Sequence, residues 1–398
     1  MRKFFRFPLY LAMGVLLAAS VMACSDDNDD DGSDAVREAG LKAAVSPYVN
    51  NTVIGTYTKM ADASIELYEK CVAIKNAFNQ NTLTSTMIVD AGKSWNNARQ
   101  YWELSEAFLF GPAGDSGAGI DGHIDTWPVA KVTVTAILNN ADLMKAIQEK
   151  GAVGLPAEEG VLGFHATEAL LFQLDATETK SEPHSTQYTS NELIYLVAIA
   201  EDLMNQCVLL EAYWAGSDKI TVAKQTILNK AGLTFKSGLA NYGSRMINPG
   251  VNDQTYKNYL GVAQDIIQGC IDIADEVGNQ KIGRPVNGSS EDDKNYIESP
   301  YSLNSIVDFT DNIISIKNSY EGINSGDASI SDYIKSVDPT LDAKVKASIQ
   351  AAIDIIGKIP EPFAKNASTN ADAKKAVTVV GTDLVKTLEE VAQALSKY

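Results

Sequence analysis

Apolar residues recur every three or four positions along most of this chain, and that period points to packed helices. Trp95, Ala98, Trp102, Ser105 and Leu109 line one face of residues 90–110, before Gly111-Pro112. Val134, Ile137, Ala141, Met144 and Ile147 do the same over 131–149, and Leu193, Val197, Ala200, Met204, Cys207 and Tyr213 over 191–214. Further stretches at 254–277, 340–357 and 372–397 repeat the spacing. No comparable alternating run appears, and no Asn-Gly or Asp-Gly pair joins two β-branched runs. The fold expected is all-α, built as helical bundles. At 398 residues, 45% of them hydrophobic, the chain has enough material for two domains. Gly216-Ser217-Asp218 breaks the pattern and suggests a boundary, giving 37–218 and 219–398.

The N-terminus carries an export signal. Met1–Arg6 is basic, Leu9–Ala19 is apolar but short, and Val21-Met22-Ala23-Cys24 sets a small residue before a cysteine. Residues 1–23 read as a signal peptide whose end resembles a bacterial lipobox, implying cleavage before Cys24 and its lipidation. No later apolar run reaches the ~18 residues of a membrane helix. Asp26–Asp31 then forms an acidic tract, so residues 24–36 are expected to be a flexible linker. Ser25 with the Asp run also looks like the surface-display signal of Bacteroidetes lipoproteins. These features predict an outer-membrane lipoprotein, periplasmic or surface-exposed.

Charge narrows the function. The net charge is −18, and removing the three basic residues of the signal leaves −21. Such a surface repels phosphate backbones, so no nucleic-acid partner is expected. Cys71, Cys207 and Cys270 lie in apolar helical phases and read as buried thiols. Only three histidines are present and HExxH does not occur.

Candidate chemistry gathers on a few short blocks. Pro156, Glu158 and Glu159 look like a helix start. His165 and Glu168, three apart, then share one helix face, where they can co-ligate a metal or form a hydrogen-bonded pair. Arg99, Glu103 and Glu106 make a polar stripe beside the apolar one. Arg99–Glu103 equally fits a surface ion pair worth ~0.3–0.5 kcal/mol. Asp121, His123 and Asp125 alternate in a glycine-rich loop. Ser299-Pro300 reads as an N-cap and first helical residue, whose free amides favour an anion, with Glu298 and Ser302 beside it.

Gly163-Phe164-His165-Ala166-Thr167-Glu168 resembles the GxHxxE signature of the imelysin family. Three other blocks resemble family segments in the same order: Trp95 through Pro112 with Ser105, then Ile124-Asp125-Thr126-Trp127-Pro128, then Glu298-Ser299-Pro300-Tyr301-Ser302. The chain departs from the family at Thr167, where isoleucine is common, and at Pro300, where cysteine is usual. The resemblance implies two similar four-helix-type bundles with a site at their interface, and a family described both as peptidases and as iron-uptake-associated proteins.

Three functions follow. The first is a metal-binding, iron-uptake-associated lipoprotein with His165, Glu168, Glu106 and Glu298 at the site, supported by Arg99, Glu103, Ser105, Asp125, Ser299 and Ser302. One imidazole with carboxylates suits divalent or ferric iron, manganese or zinc. Its partners would be the membrane, through Cys24, and envelope iron-uptake proteins. The second is a zinc peptidase, for which HxxE supplies too few ligands, so the reading leans away from an enzyme. The third is a non-catalytic ligand-capture or adhesion module.

Overall fold

The computed structural model describes residues 31–397 apart from 115, 116, 157, 159, 237 and 252–254. The signal peptide, Cys24 and most of the acidic tract lie outside these residues. The chain is essentially all-α. Among the described residues the only sheet is an antiparallel pair, β1 (Phe172–Leu174) and β2 (Ser181–Pro183), in register Phe172 to Pro183. This hairpin was not expected from the sequence, because three-residue strands are too short to show an alternation.

In the first half, α2 (Ile54–Asn79) packs on α3 (Ser85–Glu103) and on α5 (Ser190–Ala215), and α4 (Gly163–Leu171) lies against α3 and α5. Helix α5 begins with a capping box, Thr189 and Glu192 each bonding the other's backbone, and ends at Gly216. It is long and apolar enough to cross a bilayer, contrary to the sequence expectation, but nearly all of its apolar window is buried by its neighbours. A helix apolar all round is a core helix when other helices surround it. Cys71, Cys207 and Cys270 are free and buried, and burial pushes each thiol up to about 12.

In the second half, α6 (Tyr259–Asp275) packs on α7 (Ser305–Glu321) and α10 (Val385–Lys397), and α9 (Pro339–Ile356) joins α7 and α10. The N-terminal helix α1 (Asp31–Pro47) lies on α6 and on α8 (Ile330–Val337). It starts inside the stretch expected to be a flexible linker. Asp34 sits near its start, where a carboxylate favours the helix dipole, and pairs with Arg37 one turn on at 2.5 Å.

Several expected helices are interrupted, each for a local reason. Residues 131–149 divide at Asn139-Asn140, where the Asn140 side chain accepts from the amides of Asp142 and Leu143 and starts a new helix. Leu155, Pro156 and Glu158 are not helical. Gly160 and Gly163 both have φ +73°, so α4 starts only at Gly163. Helix α3 stops at Glu103, and Glu106–Phe108 is a single 3₁₀ turn. The 254–277 helix begins at Tyr259, because Asn258 caps it by accepting from Gly261 N at 3.0 Å. It runs on into a π-turn, Glu276–Lys281. A second π-turn, Val379–Leu384, precedes α10, and a third, Tyr48–Val53, precedes α2.

A candidate metal centre between the two halves

Helix α3 delivers Arg99 and Glu103 to the boundary between the halves. Neither is a surface residue: both are fully buried, with Arg99 Nη2 2.5 Å from Glu103 Oε1. The guanidinium also pairs with Asp125, reaches Glu298 Oε1 at 2.6 Å, and lies 3.5 Å from Asp308 Oδ2. Four carboxylates from four segments thus converge on one arginine. Its planar fork suits that task, since several donors engage at once.

Asp125 is positioned by the motif glycine. The 121–125 turn lies directly on Gly163: a Cβ there would fall 2.1 Å from the carbonyl oxygen of Ile124 and 2.6 Å from that of His123. Trp102 Nε1 donates to Asp125 Oδ2 at 2.8 Å, and Trp95 Nε1 ties α3 to the Phe164 carbonyl at 2.9 Å. Asp125 Oδ1 is 3.0 Å from His165 Nε2. The other ring nitrogen, Nδ1, faces Glu168 Oε2 at 3.5 Å.

Glu168 reaches across to the second half. Its Oε1 accepts from the backbone amides of Tyr301 and Ser302 at 2.9 and 2.8 Å and from Ser302 Oγ at 2.8 Å. The sequence predicted anion-seeking amides here, supplied by a helix starting at Ser299-Pro300. The structure supplies them from a turn instead. Ser299 and Leu303 have φ of +50° and +55°, so no helix forms until Ser305. Ser299 Oγ donates to Asp308 Oδ2 at 2.5 Å, Asn304 Nδ2 to Asp308 Oδ1 at 2.6 Å, and Ser305 Oγ to the Glu298 carbonyl at 2.5 Å. Of the supporting residues expected, Ser105 alone faces elsewhere: its hydroxyl closes α3 on the Trp102 carbonyl at 2.7 Å.

Sequence reasoning missed Lys281 and Asn312. Lys281 ends the Glu276–Lys281 π-turn and is buried, its Nζ 3.1 Å from both Glu298 Oε1 and Asn312 Oδ1 and 3.7 Å from Glu103 and Glu106. Asn312 donates to Glu103 Oε2 at 2.5 Å. A signal for Lys281 exists: it continues the apolar phase Ile273–Val277 by four, a place where a lysine is buried.

Charge is the defining property of this cluster. Six carboxylates, Glu103, Glu106, Asp125, Glu168, Glu298 and Asp308, face Arg99, Lys281 and His165. Burial pushes Glu103 and Glu106 well above the usual carboxylate range despite their cationic neighbours. Burial likewise raises Asp308 to about 7, against the pull of Arg99. Burial acts on Asp125 too, but Arg99 and His165 override it and hold that carboxyl well below its ordinary range. For His165, burial and Arg99 push downward, yet the Asp125 and Glu168 hydrogen bonds prevail and hold it up at about 9.

Four buried atoms of the cluster, Arg99 Nε, Glu103 Oε1, His165 Nε2 and Glu298 Oε2, make no aligned hydrogen bond; the first three lie against charged partners, and Glu298 Oε2 has no hydrogen-bond partner. Asp125, His165 and Glu298 each offer one ligand atom within 4.8 Å of the others, and two all-carboxylate groups do the same: Glu103 with Glu298 and Asp308, and Glu103 with Glu106 and Asp125. Oxygen-rich donors with one imidazole, twice as many acidic as basic side chains, and the unpartnered Glu298 Oε2 fit a cation. Outside them, Trp127 lies tilted against Tyr296 with centroids 3.9 Å apart, and the Arg284 guanidinium covers the Tyr296 ring at 3.7 Å.

The imelysin family's sequence profile matches residues 53–393. Iron-regulated protein A of Synechococcus elongatus is 26% identical over 328 residues, covering 81% of this chain and 77% of that protein. A crystal structure from Parabacteroides distasonis, described as an iron-regulated protein A precursor, superposes with a TM-score of 0.74 at 25% identity, covering 90% of this chain and 95% of that one. An imelysin-like protein from Psychrobacter arcticum shares the fold, with a TM-score of 0.59 at 14% identity over 92% of this chain and 96% of its own.

Proposed function

The chain belongs to the imelysin family, and on that premise we propose that it is an iron-associated protein of the cell envelope that binds a metal ion in the buried cluster between its halves. The observation that carries this reading is the cluster itself: six buried carboxylates against three basic groups, with Glu298 Oε2 left without a hydrogen-bond partner and His165 Nε2 3.0 Å from Asp125 Oδ1. Asp125, His165 and Glu298 would be the ligands, and Glu103, Glu106 or Asp308 would add oxygens. Glu168 takes a different part from the ligand role expected of it. With one oxygen committed to Tyr301 and Ser302, it would hold His165 through Nδ1 while Nε2 faces the ion, the arrangement that orients most metal-bound imidazoles. The two relatives named as iron-regulated support iron as the biological ion. A peptidase reading gains nothing from this arrangement, because the Tyr301 and Ser302 amides that would suit a substrate oxyanion are already taken by Glu168.

Metal analysis of untagged protein tests the proposal. About one equivalent of metal is expected. Added ferrous, manganese or zinc ion should raise the melting temperature, by the equivalent of about 2.7 kcal/mol at one hundred times Kd. The rise should vanish in His165→Ala and Asp125→Asn. Glu168→Gln should weaken binding about 10–100-fold without abolishing it. If the His165 and Asp125 variants lose the same stability with and without metal, the cluster is a structural ion network and the proposal fails.

The envelope assignment rests on the leader. Mass analysis should find a lipid-modified chain beginning at Cys24, and Cys24→Ala should either stop processing or leave the protein unattached to membranes. A wild-type chain recovered soluble and unlipidated would contradict the assignment.

A further inference from the structure

We propose that Lys281 is the resident counter-cation of the cluster: its ammonium occupies carboxylates that an incoming metal ion must share, so it keeps the empty site folded and lowers the affinity for metal. This rests on the metal-binding reading above.

The geometry separates the two buried cations. Arg99 is fixed by Glu103, Asp125, Glu298 and Asp308 on different sides of one planar group. Lys281 is held by a single ammonium at the end of a flexible stem. Its contacts are Glu298 Oε1 and Asn312 Oδ1 at 3.1 Å and Glu103 and Glu106 at 3.7 Å. Three of those four neighbours, Glu298, Glu103 and Glu106, belong to the groups whose oxygens lie close enough to hold an ion. The ammonium and a metal ion therefore compete for the same lone pairs.

The backbone is built to bring Lys281 there. The π-turn Glu276–Lys281 adds a residue to the helical register, and the second π-turn, Val379–Leu384, lies against it. A Cβ on Gly278 would fall 2.2 Å from the Gly381 amide nitrogen, so only glycine lets the two turns meet. A buttressed irregular turn thus carries a lysine to within 3.7 Å of three buried carboxylates, Glu298, Glu103 and Glu106.

The test uses the full chain with Lys281→Met and Lys281→Gln, titrated with manganese(II) and zinc(II) chloride by calorimetry and thermal melting. The glutamine variant keeps a donor toward Glu298 and an amide toward Asn312, and it decides the matter if the methionine variant does not fold. Metal-free variants should melt below wild type. Each folded variant should bind metal at least tenfold more tightly, with a larger metal-dependent rise in melting temperature. If wild type binds metal and neither variant binds it more tightly, Lys281 is not a competitor and this inference falls alone. If neither wild type nor variants bind, the metal-binding reading fails and takes the inference with it.

Discussion

Arg99→Met is expected to be the most damaging single substitution in the protein, lowering unfolding free energy by about 3–5 kcal/mol near neutral pH, the usual loss when one partner of a buried ion pair is removed. Methionine fills much of the volume, so packing is not the main loss. The loss is electrostatic, since Glu103, Asp125, Glu298 and Asp308 would keep their burial and lose the group that compensates all four. The sign of the pH dependence follows. Burial already sets Glu103 and Asp308 above their unfolded values, Asp308 at about 7. Such groups favour the folded state at low pH and cease to do so as pH rises through the folded value. Without Arg99 they rise further. Urea unfolding should therefore show the smallest deficit at about pH 5 and the largest at about pH 8. A deficit independent of pH would mean that lost packing, not uncompensated charge, is what Arg99 prevents.

Gly163→Ala is expected to cost about 3 kcal/mol and to remove metal-dependent stabilisation as well. The residue has φ +73°, which alone costs an alanine ~1–2 kcal/mol. The added methyl would also meet two backbone carbonyls, of Ile124 at 2.1 Å and His123 at 2.6 Å, and backbone cannot swing aside as a side-chain tip can. Asp125 follows Ile124 in the chain, so any yielding of that turn moves a proposed ligand. Gly232→Ala is the matched control: φ is +67°, but no atom lies within 4 Å of the new methyl. Chemical denaturation of the two variants should differ by the steric part alone. Equal losses would show that the 121–125 turn gives way easily and does not depend on the motif glycine.

These two residues also show how much of the molecule could be read in its sequence. Arg99, Glu103 and Glu106 were recognisable as a stripe, and His165 and Glu168 as a pair, because helical spacing of three or four is local information. That Arg99–Glu103 is buried was not recognisable. A surface pair and a buried one have the same spacing, and only partners brought from residues 125, 298 and 308 distinguish them. Ser299-Pro300 has the composition of a helix start, yet the left-handed Ser299 and Leu303 are imposed by the tertiary contacts of Asp308 and Glu168. Lys281 escaped because a lysine in an apolar phase does not reveal the distant carboxylates that pair with it, and Asn312 because its side chain bonds only to residues far away in sequence.

The hydrogen bonds of Glu168 to Tyr301 and Ser302 carry a consequence for the history of such chains. The acids of the cluster are divided unequally: Glu103, Glu106, Asp125 and Glu168 come from one half with Arg99 and His165, whereas Glu298 and Asp308 come from the other with Lys281. Each half alone would hold charges whose partners reside in its neighbour. Recombination that exchanged one half for that of a distant relative would join surfaces whose charges no longer match. A charge-changing substitution on one side of the seam would therefore unbalance the other, and a second substitution across the seam would be needed to restore it.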